Sequence, residues 1–228
     1  SSSVDNFSVV CTTEQYTVGG TVSGLNGSGL ALQNNNGNDL TINTNGAFSF
    51  STTLDSLASY SASVSSQPSN PNQTCVISNA SGSLSGANIS NINVICSTNQ
   101  YSIGGTVSGL SGSASLILQN NSGDDLTLSS NGAFSFTTTL GSSELYSVSV
   151  LTNPSYPKQT CVVSNATGSL SDASINDINV ICTTDQYNVS GTVTGLDGAG
   201  LILQNNNGDD LNISANGVFS FNTTLNGL

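Results

Sequence analysis

The sequence predicts an all-β chain of tandem β-sandwich repeats, and three features lead to that prediction. A segment that begins YTVGGTVSGL at Tyr16 recurs with small changes at Tyr101 and at Tyr187, which gives a period of 85 or 86 residues. Apolar residues within each copy alternate with small or polar ones, which is the period of a strand with one buried face. Turn-forming residues separate these runs, and none of the runs has the period of a helix.

Each copy is expected to fold into seven short strands. In the first copy, the apolar side chains of five strands fall two or four positions apart, which places them on one face of each strand. They are Tyr16, Val18 and Val22; Leu30 and Leu32; Leu40 and Ile42; Phe48 and Phe50; and Tyr60, Ala62 and Val64. The last two strands are predicted over 73–80 and about 89–96. Seven strands in about 85 residues are the pattern of an immunoglobulin-like sandwich.

Asn-Gly pairs stand between two of these strands in every copy, at Asn45-Gly46, Asn131-Gly132 and Asn216-Gly217. Both residues of a two-residue hairpin turn need a positive φ, which Asn and Gly tolerate best. The sequence therefore predicts a tight hairpin at each pair.

The repeats do not begin at the first residue. Residues 3–11, SVDNFSVVC, align with SINDINVIC at 174–182, so residues 1–12 are predicted to be the last strand of a preceding repeat. Complete repeats are predicted over 13–98 and 99–184, and residues 185–228 are predicted to hold the first strands of an incomplete third repeat. We expect a longer array, or end repeats that neighbouring subunits complete.

The cysteines predict one disulfide in each complete repeat. Cys75 and Cys96 are 21 positions apart, as are Cys161 and Cys182. A hairpin of the last two strands that places Cys75 opposite Cys96 also places Ile77 opposite Val94. A disulfide that closes such a loop contributes about 3 kcal/mol, and it implies an oxidising compartment, hence an extracellular or cell-surface location. The alternative is a metal site or a reactive thiol, but zinc sites favour closely spaced cysteines with histidine, and the chain has neither.

Cys11 aligns with Cys96 and Cys182. It is therefore expected to be unpaired in this chain, or to bond a cysteine that precedes Ser1 or belongs to another chain.

Strand and turn strings in the second repeat resemble a known group of repeats. They are GGTVSGL, LQNN, NGAFSF and the strand from Tyr146 to Val150 that precedes a proline. They resemble the prealbumin-like β-sandwich repeats related to carboxypeptidase regulatory domains, including the B-type stalk repeats of Gram-positive adhesins and the cysteine-bearing repeats of Gram-negative surface proteins. The resemblance implies fold and location more than activity. Many B-type repeats carry a Lys isopeptide bond, whereas the only lysine here is Lys158.

The charge balance excludes several partners. The chain has 13 acidic residues and one basic residue, with a net charge of −12. Nucleic acids and anionic membrane surfaces are bound by clusters of Lys and Arg, which this chain cannot form. No run of 18 apolar residues is present, so no membrane insertion is expected. Residues 1–20 also lack the pattern of a signal peptide.

Enzymatic activity is not expected from these residues. The chain has no His and no Arg, so the usual general base and the usual anion clamp are missing. Its glycine-rich strings lack the Gly-Lys-Ser/Thr ending of a phosphate-binding loop. No cofactor is expected.

The acidic turns NNSGDD and NNNGDD offer a candidate calcium site. Their carboxylates belong to Asp124 and Asp125 in the second repeat, and to Asp209 and Asp210 in the third. Oxygen-rich loops suit Ca²⁺. The alternative is a polar turn whose side chains cap their own backbone, and it is favoured because the first copy has Asn38 and Asp39 at these positions.

These features predict a structural protein whose stacked repeats form an extracellular fibre, filament or stalk on a bacterial surface, with other copies of itself as partners. Tyr16, Tyr101 and Tyr187 at the repeat boundaries are expected to pack there rather than to bind a ligand. The alternative is the spacer of an adhesin whose ligand-binding domain lies outside this sequence. A third possibility is an appendage of a catalytic domain that is also outside it.

Overall fold

The structure is a computed structural model, and it describes residues 7–112 and 115–227. Every regular element in these ranges is a β-strand. The first copy of the repeat contains β1 (Gln15–Tyr16), β2 (Val18–Ser23), β3 (Leu30–Asn34), β4 (Gly37–Ile42), β5 (Gly46–Ser49), β6 (Leu54–Asp55), β7 (Ser59–Ser66), β8 (Gln73–Ser78), β9 (Ser81–Ser83) and β10 (Ile89–Thr98).

The second and third copies follow the same order of strands. The second contains β11 (Gln100–Tyr101), β12 (Ile103–Ser108), β13 (Leu116–Asn120), β14 (Asp124–Leu128), β15 (Gly132–Ser135), β16 (Leu140–Gly141), β17 (Leu145–Thr152), β18 (Gln159–Ser164), β19 (Thr167–Ser169) and β20 (Ile175–Thr184). The third contains β21 (Gln186–Tyr187), β22 (Ser190–Val193), β23 (Leu201–Asn205), β24 (Gly208–Ile213), β25 (Gly217–Ser220) and β26 (Leu225–Asn226).

The chain forms two compact units whose limits differ from those of the sequence repeats. The first unit holds the described residues up to Tyr101 together with Leu140–Glu144 and Ser169–Ala173. The second holds Ser102–Thr139, Leu145–Gly168 and the described residues from Ser174 onward. Two short segments of the second sequence repeat therefore belong to the first unit.

The first unit contains two four-stranded sheets and two two-stranded ribbons. One sheet has the order β5-β2-β10-β8 and the other has the order β4-β3-β7-β9; the ribbons pair β1 with β6 and β11 with β16. The pairing of β2 with β10 is parallel, whereas the other pairings in this unit are antiparallel. Their inward side chains form one core, in which Val18, Leu30, Leu32, Ile92 and Val94 are fully buried.

The expected seven strands per repeat are replaced by ten shorter elements in the described part of the first copy. The predicted first strand changes partner at Thr17, so β1 pairs with β6 while β2 pairs with β5 and β10. The additional strands β6 and β9 have two and three residues. Elements of that length are too short for a period of two to reveal them.

A disulfide joins the central strand β10 to the edge strand β8. Cys75 and Cys96 are directly opposite each other in the antiparallel register, with Ile77 opposite Val94. Both cysteines point into the core and are nearly inaccessible. The second unit has the matching disulfide between Cys161 and Cys182 on β18 and β20.

The parallel approach of β10 to β2, and of β20 to β12, explains a glycine at the same position of the first two copies. A Cβ atom on Gly20 would lie 1.8 Å from the backbone oxygen of Ile92, and one on Gly105 would lie 1.8 Å from that of Ile178. Atoms cannot approach so closely, so any side chain at these positions would push the strands apart.

The second unit repeats this arrangement and adds the third copy. Its sheets have the orders β15-β12-β20-β18 and β14-β13-β17-β19. In the third copy β21 pairs with β26, β22 with β25, and β23 with β24. Leu201 and Leu203 of β23 are half-buried, whereas the equivalent Leu30 and Leu32 are fully buried.

The Asn-Gly pairs do not form the predicted hairpins. β4 and β5 lie in different sheets, and at the first pair only Gly46 has a positive φ. The side chain of Asn45 instead holds the loop after β2: its Oδ1 accepts a hydrogen bond from the Leu25 amide at 2.8 Å, and its Nδ2 donates to the Leu25 carbonyl at 2.9 Å. Asn131 and Asn216 make the same two bonds to Leu110 and Leu196.

The two-residue turns with positive φ lie one connection earlier. Asn35 and Asn36 join β3 to β4, and Asn206 and Asn207 join β23 to β24. The signal for a hairpin was therefore present in the sequence, but in the Asn-Asn pairs.

We expect Asn45→Asp to destabilise the first unit by about 0.5–1.5 kcal/mol at neutral pH. The new carboxylate cannot donate to the Leu25 carbonyl and repels it. Urea unfolding followed by circular dichroism measures the change. Asn43→Asp is the matched control, because Asn43 is exposed as Asn45 is, whereas the two bonds to the Leu25 backbone belong to Asn45. The difference between the two variants should shrink at acid pH, where a protonated carboxyl donates again. Equal stability of both variants at neutral pH would contradict the role of Asn45.

Candidate functional site

The joints between successive sequence repeats are the most distinctive polar sites of the chain. A single residue, Asn99, separates β10 from β11, and Asp185 alone separates β20 from β21. The sequence predicted linkers of about four residues, counted from Cys96 to Tyr101. The observed connections are shorter because β10 and β20 extend two residues past their cysteines.

The first joint is a network of uncharged groups within the first unit. The Asn99 amide donates to the Asn72 carbonyl at 3.0 Å, and the Asn99 carbonyl accepts from the Ser142 amide at 2.9 Å. The buried Ser142 hydroxyl accepts from the Asn72 amide at 2.9 Å and donates to the Ser171 carbonyl at 2.7 Å. These bonds hold Asn72 of the first repeat to Ser142 and Ser171 of the second.

The second joint lies within the second unit and is charged. The Asp185 amide donates to the Lys158 carbonyl at 2.9 Å, and the Asp185 carbonyl accepts from the Gly227 amide at 2.8 Å. The Lys158 ammonium lies 3.8 Å from the Asp185 carboxylate and 5.6 Å from the centre of the Tyr187 ring. A hydrogen bond to Tyr187, together with the Asp185 charge, raises the pKa of Lys158. Since Lys158 is largely exposed, this ion pair adds little stability.

The boundary tyrosines have different surroundings. Tyr16 is half-buried against the first core, and its hydroxyl donates to the Glu14 carboxylate at 2.6 Å, which raises the pKa of Tyr16. Tyr101 is half-buried, and Tyr187 is 44% exposed beneath Lys158. The three rings do not form a common platform within any one copy, since each copy holds only one of them.

The acidic turns direct their carboxylates to separate protein donors. Asp124 accepts from the Thr137 hydroxyl at 3.2 Å and from the Thr138 amide at 3.1 Å, while Asp125 accepts from Gln119 at 2.6 Å. In the third copy, Asp209 accepts from the Thr223 amide and Asp210 from Gln204. Residues 7–112 and 115–227 contain no group of three or more His, Cys, Asp or Glu residues able to hold a metal ion.

In the part of the chain that the structure describes, Cys11 and two surface grooves are not close to any cluster of ionisable groups that would indicate a site. Cys11 is exposed and unpaired. Between β4 and β5 lies a shallow groove of about 310 Å³ lined by Leu40, Ile42 and Phe48 among uncharged residues, and the third copy has a groove of about 320 Å³ at the same position. None of their lining residues is ionisable. Within the described ranges, no helix has the length and apolar character needed to cross a membrane.

Two buried glutamines are structural residues that the sequence reasoning missed. Gln73 accepts from the amides of Asn26 and Gly27 and donates to the Gly24 carbonyl. Gln159 similarly accepts from the Ser111 amide and donates to the Gly109 carbonyl. The available signal was the string Gln-Thr-Cys, which stands at both 73–75 and 159–161.

Comparison with known proteins finds a similar fold but no matching family. No protein-family model matches the chain, and no curated protein matches it. Solved structures do match; one of them is the Bacillus anthracis TIE protein, with a TM-score of 0.51 and 11% sequence identity. The alignment covers 94% of this chain and 43% of that protein, so this chain spans less than half of its length. At this identity the likeness shows a shared all-β fold.

Proposed function

We propose that the chain is a structural extracellular protein whose stacked β-sandwich repeats build a fibre, filament or stalk on a bacterial surface. The observation that carries this proposal is the joint at Asn99. There, residues of two successive repeats share buried hydrogen bonds within one compact unit. Such a joint suits a load-carrying array better than independent domains on flexible linkers.

The finer features of the proposal follow from the repeat and its disulfides. Each complete repeat is an immunoglobulin-like sandwich of about 85 residues, with further strands added to the predicted seven. The two disulfides support an oxidising, extracellular location. Other copies of the chain are the proposed partners.

We also propose that the chain is not an enzyme and needs no cofactor. Three grooves of the structure, two between the fourth and fifth strands of a copy and one beside Gly20 and Asn88, are lined by Ser, Thr, Asn, Gly and apolar residues, without an ionisable group to move a proton. The carboxylates of Asp124, Asp125 and Asp209 accept hydrogen bonds from backbone amides or from the side-chain amide of Gln119.

Electron microscopy of the native material at neutral pH tests the proposed function. We expect long filaments with a regular axial repeat, and we expect them to survive mild reductant because Cys75, Cys96, Cys161 and Cys182 are nearly inaccessible. Filaments that fall apart under mild reductant would instead identify the exposed Cys11 as a bridge between subunits. Isolated short rods without filaments would favour the spacer of an adhesin.

Ser142→Ala tests the first joint. The substitution leaves the Asn72 amide and the Ser171 carbonyl without their partner, at a cost of about 1–3 kcal/mol. We expect hydrogen exchange at the Asn72 amide to accelerate by about tenfold or more. Ser56→Ala is the matched control, since Ser56 is the equivalent residue of the first repeat. Its backbone amide, not its hydroxyl, donates the hydrogen bond to the Glu14 carbonyl, so the substitution leaves that bond in place. Unchanged exchange in Ser142→Ala would show that the joint does not depend on this hydroxyl.

The melting temperature in the presence of calcium tests the acidic turns. Because each carboxylate already accepts hydrogen bonds from protein donors, we expect no change in melting temperature between EDTA and millimolar calcium. A rise with calcium that disappears in Asp124→Asn would establish the calcium site instead, with Asp172→Asn as the control for loss of one charge.

A further inference from the structure

In the first unit, the outer surface of one sheet carries no ionisable side chain, although the chain has 13 acidic residues. In the first unit this surface belongs to the sheet β5-β2-β10-β8. Its outward side chains alternate with the buried ones and are here called the neutral face: Thr21, Ser23, Ala47, Ser49, Thr74, Val76, Ser78, Asn93, Ile95 and Ser97.

The second unit presents the same face in the same register. Val76 lies opposite Ile95 in the first unit, and Val162 lies opposite Ile181 in the second. Val76 and Ile95 are 61% and 49% exposed, and Val162 and Ile181 are 62% and 47% exposed. The other outward residues are Thr106, Ser108, Ala133, Ser135, Thr160, Ser164, Asn179 and Thr183. One acidic residue of these strands, Asp177, is exposed on the outward side at the irregular start of β20, beside Asn165. The neutral face of the second unit therefore has one carboxylate at its margin.

The opposite sheet of each sandwich differs in charge. Asp39 lies on β4, and Asp124 and Asp125 lie on β14, where Asp125 is exposed next to Gln119. Contact between two copies through these surfaces would bring carboxylates together at a net charge of −12 per chain. The neutral face avoids that repulsion. Its short side chains also lose little rotamer entropy when they are buried.

We propose that the neutral face of each unit is the surface on which a second copy of this chain packs, sheet against sheet. A contact of this kind is self-complementary, because a two-fold axis can place the Val–Ile pair of one copy against that of the other. No aromatic ring lies on the face, which disfavours a carbohydrate partner. The proposal rests on the proposed structural function and adds to it the surface that joins neighbouring chains laterally.

The neutral face is small, so the contact between one pair of units is weak. Many such contacts along an array would together hold two chains. Four strands span about 19 Å and five residues span about 17 Å, so one face covers on the order of 300 Å². A pair of faces then buries on the order of 600 Å², below the roughly 1,200 Å² of stable interfaces. Each chain carries two such faces, and a filament would carry many, so avidity would multiply the affinity.

The test is the concentration-dependent association of the whole 228-residue chain, measured by sedimentation equilibrium from micromolar to millimolar concentration. We expect the wild-type chain to associate, and more tightly at high salt, which screens the repulsion between acidic copies. The double variant Val76→Asp/Val162→Asp should weaken association by at least about tenfold, because it buries unpaired charges in the contact. The matched control is Ser63→Asp/Ser149→Asp, with the same added charge on exposed residues of β7 and β17.

Two results would overturn the proposal: a monomeric wild-type chain at millimolar concentration, or a control that weakens association as much as the variant. Circular dichroism establishes that the variants are folded. Val76→Ser/Val162→Ser, which adds no charge, should weaken association less than the aspartate variant and more than the control. Electron microscopy separates this proposal from the proposed function. Filaments that never pair laterally would contradict packing through the neutral face but not the proposed filament. Lateral dimers that form no filament would contradict the proposed filament but not packing through the neutral face.

Discussion

The backbone pairing of β10 between β2 and β8 is the interaction on which the first unit depends. This strand is parallel to β2 on one side and antiparallel to β8 on the other. Its inward residues Ile92 and Val94 are fully buried between the two sheets, and Cys96 bonds it covalently to β8. Loss of the strand would break two ladders and open the core at once. In the second unit, β20 has the same neighbours and the same disulfide.

The continuation of β10 into the next repeat makes the joints part of the fold. Because only Asn99 separates β10 from β11, the end of one repeat is held next to the start of the next. Its backbone then bonds to Asn72 on one side and to Ser142 on the other. This explains why Leu140–Glu144 belong to the first unit, although the sequence assigns them to the second repeat. The second joint uses Lys158 and Asp185 at the equivalent positions, so the same backbone connection tolerates neutral or charged side chains.

Because the chain has few charged residues, amide and hydroxyl side chains supply its polar groups in the interior as well as on the surface. Gln73 and Gln159 are buried, and their side-chain amides satisfy the backbone groups of the loop after β2 or β12. Asn45 and its two equivalents satisfy the same loop from the other side. Neutral groups do this without the desolvation cost of a buried charge. The same chemistry leaves one face of the first sandwich without ionisable side chains, and the equivalent face of the second with Asp177 at its margin.

The period of the repeat, the inward apolar residues of the predicted strands and the opposition of Cys75 and Cys96 followed from the sequence alone. Each is a local pattern or a hairpin register, and alternation by two identifies the buried face of a strand without knowledge of its neighbours. The similarity of the copies supported the same assignment three times.

Only the tertiary structure decided which strands are neighbours. The sequence placed Asn45-Gly46 between two apolar strands and predicted a hairpin, but β4 and β5 pair with β3 and β2 in different sheets. The parallel pairing of β2 with β10, the need for Gly20 beneath Ile92 and the inclusion of Ser142 in the first unit arise from contacts between residues about 70 positions apart. Alternation shows that a face is buried but not what covers it, so these contacts were decided by packing.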